Sequence, residues 1–260
     1  HLDEPQPDPA ALSTYSIAEF SKISGIKVLL SGAGGDDLFT GYRRHIAIGF
    51  EAYQNYFPKI FARFLQSMVK ALPGDSPLIR RLRRLLSYIH LDGHERLVSY
   101  FFWLSPEKSS LLVNAGSYSS WMAQKVIEPL MDELEHIFDC KNSLDKTLRL
   151  EQRFFLSDHN LAYTDCMSMS AGVEVRVPFL DKELVNFVST IPLKYKQRGT
   201  TGKWILKKAF ESSLPQSVIK RPKTGFGVPL RRWMADPLRG QIDILLSKDV
   251  ILSREVFDYD

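Results

Sequence analysis

Cysteine is nearly absent. The 260 residues hold two, Cys140 and Cys166, which cannot build a disulfide framework and suit a reducing, cytoplasmic compartment. No apolar run approaches the ~18 residues of a membrane-spanning helix, and no basic-then-apolar leader opens the chain. Charge of one sign is scarce too: 34 Lys and Arg stand against 30 Asp and Glu, a net +4. So small an excess does not mark a nucleic-acid or membrane partner. The remaining composition, 44% apolar and 25% charged, excludes disorder, collagen and coiled coil. At ~100–200 residues per domain the length allows one large domain or two small ones.

The first ten residues, HLDEPQPDPA, carry three prolines and three acids and read as an extended lead-in. Without an initial Met, they read as the start of a piece of a longer protein. Ser13 or Thr14 is the expected cap of a helix running to about Ser24. The apolar, β-branched run Ile26–Leu30 then predicts a buried strand. It feeds Ser31-Gly32-Ala33-Gly34-Gly35-Asp36-Asp37, and a helix is expected from Leu38. Strand, glycine loop and helix in that order form the α/β pattern in which ligands sit at strand ends.

Beyond Tyr42 the periodicity turns helical. Helices are expected over 46–70, 77–90, 94–103, 121–138, 143–157, 182–190 and 202–213, with breaks at Pro73-Gly74, Asp92-Gly93 and Asn114-Ala115-Gly116. The sequence thus predicts residues 1–42 as a sheet edge with its loop and 43–260 as mainly helical. Most of the sheet would lie outside this chain. A sheet edge left unpaired favours self-association, and a homodimer is one expected form.

Three glycines let backbone N–H groups approach an anion closely, and Ser31 adds a hydroxyl. The loop lacks the Gly-Lys-Ser/Thr ending of a Walker A motif and the full G-x-G-x-x-G fingerprint. Nor is Ser31 a hydrolase nucleophile, since Leu29 occupies the first Gly position of a G-x-S-x-G elbow. Asp36 and Asp37 repel phosphate unless Mg²⁺ bridges them to it, or they order the amides of a helix start. A tight turn with an acidic helix start is the alternative.

The run from Ser31 to Tyr42, SGAGGDDLFTGY, resembles the second nucleotide-site loop of the asparagine synthetase family, SG(E/D)GxDExFxGY. Three other stretches agree in the family's order. Asp3-Glu4-Pro5 with Asp8-Pro9 resembles DEP..DPS. Asp165-Cys166-Met167-Ser168-Met169 with Glu174-Val175-Arg176-Val177-Pro178-Phe179-Leu180-Asp181 resembles DRMSM…LEVRVPFLD. Lys203-Trp204-Ile205-Leu206, Leu214-Pro215 and Arg221-Pro222-Lys223-Thr224-Gly225-Phe226 resemble KxxLR…LP…RxKxGF.

The resemblance implies an α/β fold of the PP-loop type, present here as an α-rich part of one domain. It also implies ATP and Mg²⁺ as cofactors, and aspartate and glutamine-derived ammonia as substrates. In that family a β-aspartyl-AMP intermediate is formed and then aminated. By similarity Ser31, Gly32, Gly34, Gly35 and Lys203 meet the nucleotide. Asp36 holds Mg²⁺ against pyrophosphate, and Lys223 reaches the α-phosphate or the intermediate. Asp37, Tyr42, Asp165, Glu174 and Arg176 are candidates for substrate or intermediate.

The chain also departs from the pattern. The family's S-G-G-x-D-S loop and its glutaminase domain are absent, so the chain alone is expected to be inactive. Ala33 stands where the family has an acid, and a methyl group can neither form the intermediate nor deprotonate ammonia. The alternatives are a neighbouring acid such as Asp37, a different carboxylate or amine, as in ring-closing and amidating relatives, or a non-catalytic nucleotide-binding domain. Cys166 replaces an Arg and reads as a small apolar residue on a helix.

Other candidates are plainer. Glu174 and Arg176 make either a buried ion pair before Pro178 or a substrate-orienting pair. Asp158 and Asp165, seven apart, are expected on one helix face. Arg80, Arg81, Arg83 and Arg84 read as a solvated face of an amphipathic helix. His90 and His94 have the i, i+4 spacing of a metal pair, with Asp92-Gly93 breaking the helix between them. Phe101-Phe102-Trp103 reads as core.

Overall fold

The computed structural model describes the chain except residues 3, 55–58, 73–75, 77–78, 80–81, 84–85, 105, 114–124, 138–139, 141 and 260, and except the side chains of 50–54, 59–63, 70 and 107. Asp3, the two turns at 73–74 and 114–116, much of the expected helix 77–90, Arg80, Arg81 and Arg84 therefore lie outside the described residues. The chain divides into two compact units. One comprises residues 1–42 and 148–245, the other 43–147 and 246–260.

The first unit is organised around a short parallel pair. Strand β1 (Val28–Leu30) pairs with β2 (Glu174–Arg176) in the register Val28–Glu174, Leu29–Val175 and Leu30–Arg176. β1 is two residues shorter than the apolar run suggests. Helix α1 (Ala10–Ile23) precedes it and starts earlier than Ser13. The reason is Asp8, whose Oδ1 accepts the Ala10 N–H at 2.9 Å ahead of Pro9. Thr14 and Ser16 instead donate to carbonyls one turn back, as hydroxyls inside helices do.

Small residues let α1 lie close against the helix Ala162–Ser170. Ala10 and Ala11 pack on Tyr163 and Met167, with Cys166 partly buried beside them, so Cys166 does serve as an apolar filler. Ala18, Ala171 and Val173 close the next layer over Leu29. A third cluster, Leu38, Phe39 and Val188 with Phe179, Leu180 and Ile205, fixes the helix after the glycine loop.

Residues 143–170, part of which was expected as one helix ending at 157, form three pieces. An α-helix Ser143–Leu150 passes into a π-helix Glu151–Leu161 and then into the α-helix Ala162–Ser170. The wider turn breaks the seven-residue repeat. Asp158 is exposed beside Arg153 (3.6 Å) and Asp165 is exposed as well.

In the second unit the described part of the expected helix 46–70 is helical over Arg43–Gln54 and Lys59–Ala71. Helices Gly93–Ser99 and Glu128–His136 pack together there and bury Leu97, Val98 and Leu134. Arg83 is not a solvated residue. Its guanidinium donates to the Val69 and Leu72 carbonyls at 3.3 and 2.6 Å, capping the preceding helix. Phe101 and Phe102 are half-buried but Trp103 is 59% exposed, so that cluster is not core. His94 Nε2 sits 3.0 Å from Lys146 Nζ. Among the described residues no helix is long and apolar enough to cross a membrane.

Among the described residues, large apolar side chains of α1 and β1 are left exposed. Phe20, Ile23 and Leu30 are 72%, 84% and 75% exposed, whereas parallel sheets are ordinarily covered on both faces. The chain should therefore self-associate, and Leu30→Lys should suppress it. Sedimentation velocity checks this: a monomer at every concentration would count against it.

Candidate functional site

The loop after β1 is tied to the sheet by one bond, the Ser31 N–H donating to the Arg176 carbonyl at 2.8 Å. Within the loop the Ala33 N–H donates to Ser31 Oγ (3.2 Å) and the Gly35 N–H to the Gly32 carbonyl (3.2 Å). Three of its amides are thus turned to the protein, which leaves fewer for the anion cradle its glycines suggest. Gly34 is required by shape. Its φ is +85°, and a Cβ there would lie 2.4 Å from Leu180 Cδ2. Helix α2 (Gly35–Phe39) starts from it and carries Asp36 and Asp37 in its first turn.

Asp36 gathers the cations. Its Oδ1 lies 2.8 Å from Lys203 Nζ and its Oδ2 2.5 Å from Lys223 Nζ, so residues 167 and 187 positions away converge on one carboxylate. Burial pushes the Asp36 carboxyl up, but the Lys203 and Lys223 ammonium groups outweigh it and hold the pKa below the usual range. Lys203 arrives through its backbone: it has φ +54°, and its N–H donates to the Phe39 carbonyl at 2.8 Å. The close approach needs Gly41 and Gly202. A Cβ on Gly41 would fall 1.5 Å from Asp36 Oδ1, and one on Gly202 1.9 Å from the Thr40 carbonyl.

Asp37 points the other way, into the protein, and is 1% exposed. The Tyr42 Oη–H donates to its two oxygens at 3.2 and 3.3 Å. Burial above all, then the nearby charge of Glu151, raises its pKa to about 6. Beside it runs a stack from the π-helix. Phe155 meets the Tyr42 ring edge-on at 5.5 Å, His159 stacks on Phe155 at 5.1 Å, and Tyr163 meets His159 at 5.5 Å. His159 Nε2 is 3.0 Å from Asp8 Oδ2. Burial, then Asp8 and Asp37, pushes the Tyr163 hydroxyl up to about 12.

The structure therefore brings together Ser31, Gly32, Gly34, Gly35, Asp36, Asp37, Tyr42, Lys203 and Lys223. It leaves out three candidates. Asp165 is exposed on its helix. Glu174 and Arg176 form a pair at 2.8 Å that is exposed, 54% and 63%, not buried. What Arg176 supplies to the loop is its carbonyl. Sequence reasoning missed Glu151, Phe155 and His159. Their signal was there as ring-bearing residues every fourth position, Phe155, His159 and Tyr163.

A glycine loop at the end of a parallel strand, with one carboxylate shared by two lysines, is a polar constellation at a strand's C-terminal end. The Asparagine synthase family model matches residues 1–260, and the chain belongs to that family. It is 29% identical to the glutamine-hydrolysing asparagine synthetase 1 of Bacillus subtilis, over 97% of this chain and 40% of that protein. A putative asparagine synthetase of Mycobacterium tuberculosis is 30% identical over 90% of the chain and 34% of its own length. Amidase chyE of Penicillium rubens is 23% identical over the whole chain and 41% of its length. The chain thus spans well under half of each of these relatives.

Proposed function

We propose that this chain supplies part of the ATP site of a PP-loop-type, amide-forming ligase. The activity belongs to the longer protein: aspartate is activated on its side-chain carboxylate as β-aspartyl-AMP and converted to asparagine by ammonia released from glutamine. A carboxylate is a poor electrophile until it carries a leaving group, so the site must stabilise departing pyrophosphate. The observation that supports this reading is the convergence of Lys203 and Lys223 on Asp36 at the mouth of the loop. In this reading the two ammonium groups transfer from Asp36 to phosphate oxygens, and Ser31 and Gly32 line the nucleotide.

The donor set suits Mg²⁺ in one form. Among the described residues no group of three His, Cys, Asp or Glu could hold a metal, and Asp37 is engaged by Tyr42. Asp36 is left as one carboxylate, which fits an ion held mainly by phosphate oxygens and water. That ion would supply further charge neutralisation on the phosphates.

The test is pyrophosphate release by the longer protein with Mg-ATP and glutamine, with and without aspartate. Aspartate-dependent release that falls by about 10²–10³-fold in Lys223→Met supports the reading. Release that ignores aspartate overturns it. The 260-residue chain alone should form no asparagine. Ala33 favours a second reading, in which a different carboxylate or amine is joined. Ala33→Glu should then change turnover, and an unchanged rate with every amine tried would set that reading aside.

A further inference from the structure

We infer that Tyr42 is a positioning residue for Lys223: its ring face and the Asp36 carboxylate together form the seat that holds the Lys223 ammonium over the glycine loop. Lys223 belongs to residues 221–229, which have neither helix nor strand, and residues 221–227 are all exposed. Little in that segment fixes the side chain, and ordering a lysine costs rotamer freedom. Its ammonium nevertheless has two neighbours, Asp36 Oδ2 at 2.5 Å and the Tyr42 ring, whose centroid is 5.6 Å away. That is within reach of a cation–π attraction.

A carboxylate alone is a poor seat here, because Asp36 also serves Lys203 at 2.8 Å. The ring adds a second direction of attraction that Lys203 does not share. Tyr42 is itself fixed on two sides. Its hydroxyl is held by Asp37 and by Asn160 Nδ2 at 3.4 Å, and its ring meets Phe155 at an interplanar angle of 89°. A ring held in this way is a fixed anchor for a side chain on an exposed, irregular segment. The consequence for catalysis rests on the proposed function: Lys223 would stand ready for phosphate before nucleotide arrives.

The test is NMR of the 260-residue chain with ¹³C-labelled lysine, the Lys223 signal being identified by its loss in Lys223→Arg. A methylene beside a ring face feels the ring current, so the Lys223 ε-CH₂ resonance should lie upfield of the ordinary lysine position. Tyr42→Phe should keep the shift, since it keeps the ring. Tyr42→Leu should abolish it while leaving the Lys203 signal in place. No upfield signal in the unaltered chain, or an equal shift in Tyr42→Leu, overturns the inference. Should Tyr42→Leu fail to fold, a nuclear Overhauser contact between the Lys223 ε-CH₂ and the Tyr42 ring protons decides it: its presence supports the seat and its absence overturns it.

Pyrophosphate added to the same samples separates this inference from the functional reading. Displacement of the Lys223 signal, with binding about two- to fivefold weaker in Tyr42→Leu, supports both. An upfield Lys223 that pyrophosphate does not move leaves the seat standing and counts against the phosphate role.

Discussion

Asp37→Asn should stabilise the chain at neutral pH, and the gain should shrink as the solution is acidified. Asp37 has a pKa of about 6 in the folded protein against an ordinary 3.8. Between those values the folded chain binds a proton that the unfolded chain has already released. Stability therefore falls as pH rises from about 4 to about 6, and above that the penalty is complete, about 3 kcal/mol at most. Asparagine removes the charge and keeps an oxygen for the Tyr42 hydroxyl. Thermal melts at pH 7.5 should show a midpoint raised by roughly 5–10 °C in Asp37→Asn, and only about a third of that at pH 4.5.

Asp36 does not confuse this measurement. Its carboxyl is held below the ordinary value by Lys203 and Lys223 against the opposing effect of burial. The stability it contributes is present above the unfolded pKa and is lost only as pH falls below it. Over the interval from 4.5 to 7.5 Asp36 contributes no change, and groups common to both chains cancel when the variant is compared with the unaltered chain. A gain of equal size at both pH values would refute the assignment, because that would be the signature of packing and not of charge.

Gly202→Ala should cost stability and uncouple Lys203 from the loop. A Cβ there would stand 1.9 Å from the Thr40 carbonyl, and the obstacle is backbone, which cannot swing aside as a side chain can. Thr40 cannot easily retreat. It is 1% exposed, has φ +64°, and its hydroxyl donates to the Lys196 carbonyl at 3.1 Å. Overpacking of this kind costs about 1–3 kcal/mol, or roughly 2–10 °C in midpoint.

Gly41→Ala presents the milder clash, with the end of the Asp36 side chain 1.5 Å away. It should disturb the Asp36–Lys203 pair more than it lowers the melting point. Gly240, with nothing within 4 Å of its Cβ position, is the control. Gly240→Ala should be neutral or slightly stabilising, since Ala is the better helix former. Melts of the three variants side by side check the ordering, and a Gly202→Ala chain as stable as Gly240→Ala would refute it.

How far the sequence reached can be followed residue by residue. The helix expected over 182–190 forms at Lys182–Thr190, and Asp181 caps it, accepting from the Glu183 and Leu184 N–H groups at 3.0 and 3.1 Å. There the signal is local, and local signals survive folding. The expected Ser13 or Thr14 cap fails because Asp8 and Pro9 supply a start about one turn earlier, in a stretch that composition marks only as extended. Glu174 and Arg176 look buried because Val173 to Leu180 is apolar. Alternation along β2 turns both outward, and nothing in the described residues covers that face.

The sequence by itself determined the strand–glycine loop–helix order and the family resemblance, and with it which residues that resemblance singles out: Ser31, Asp36, Lys203 and Lys223. These depend on neighbours within a few positions or on motif order, which the chain carries before it folds. Only the tertiary structure decided that Lys203 and Lys223 share Asp36. Only it decided that Asp37 faces Glu151 and not the loop mouth, and that a π-helix sets Phe155 against Tyr42. The reason is distance along the chain. Contacts between residues more than a hundred positions apart depend on how helices pack, and a charge's effect depends on burial that only packing creates.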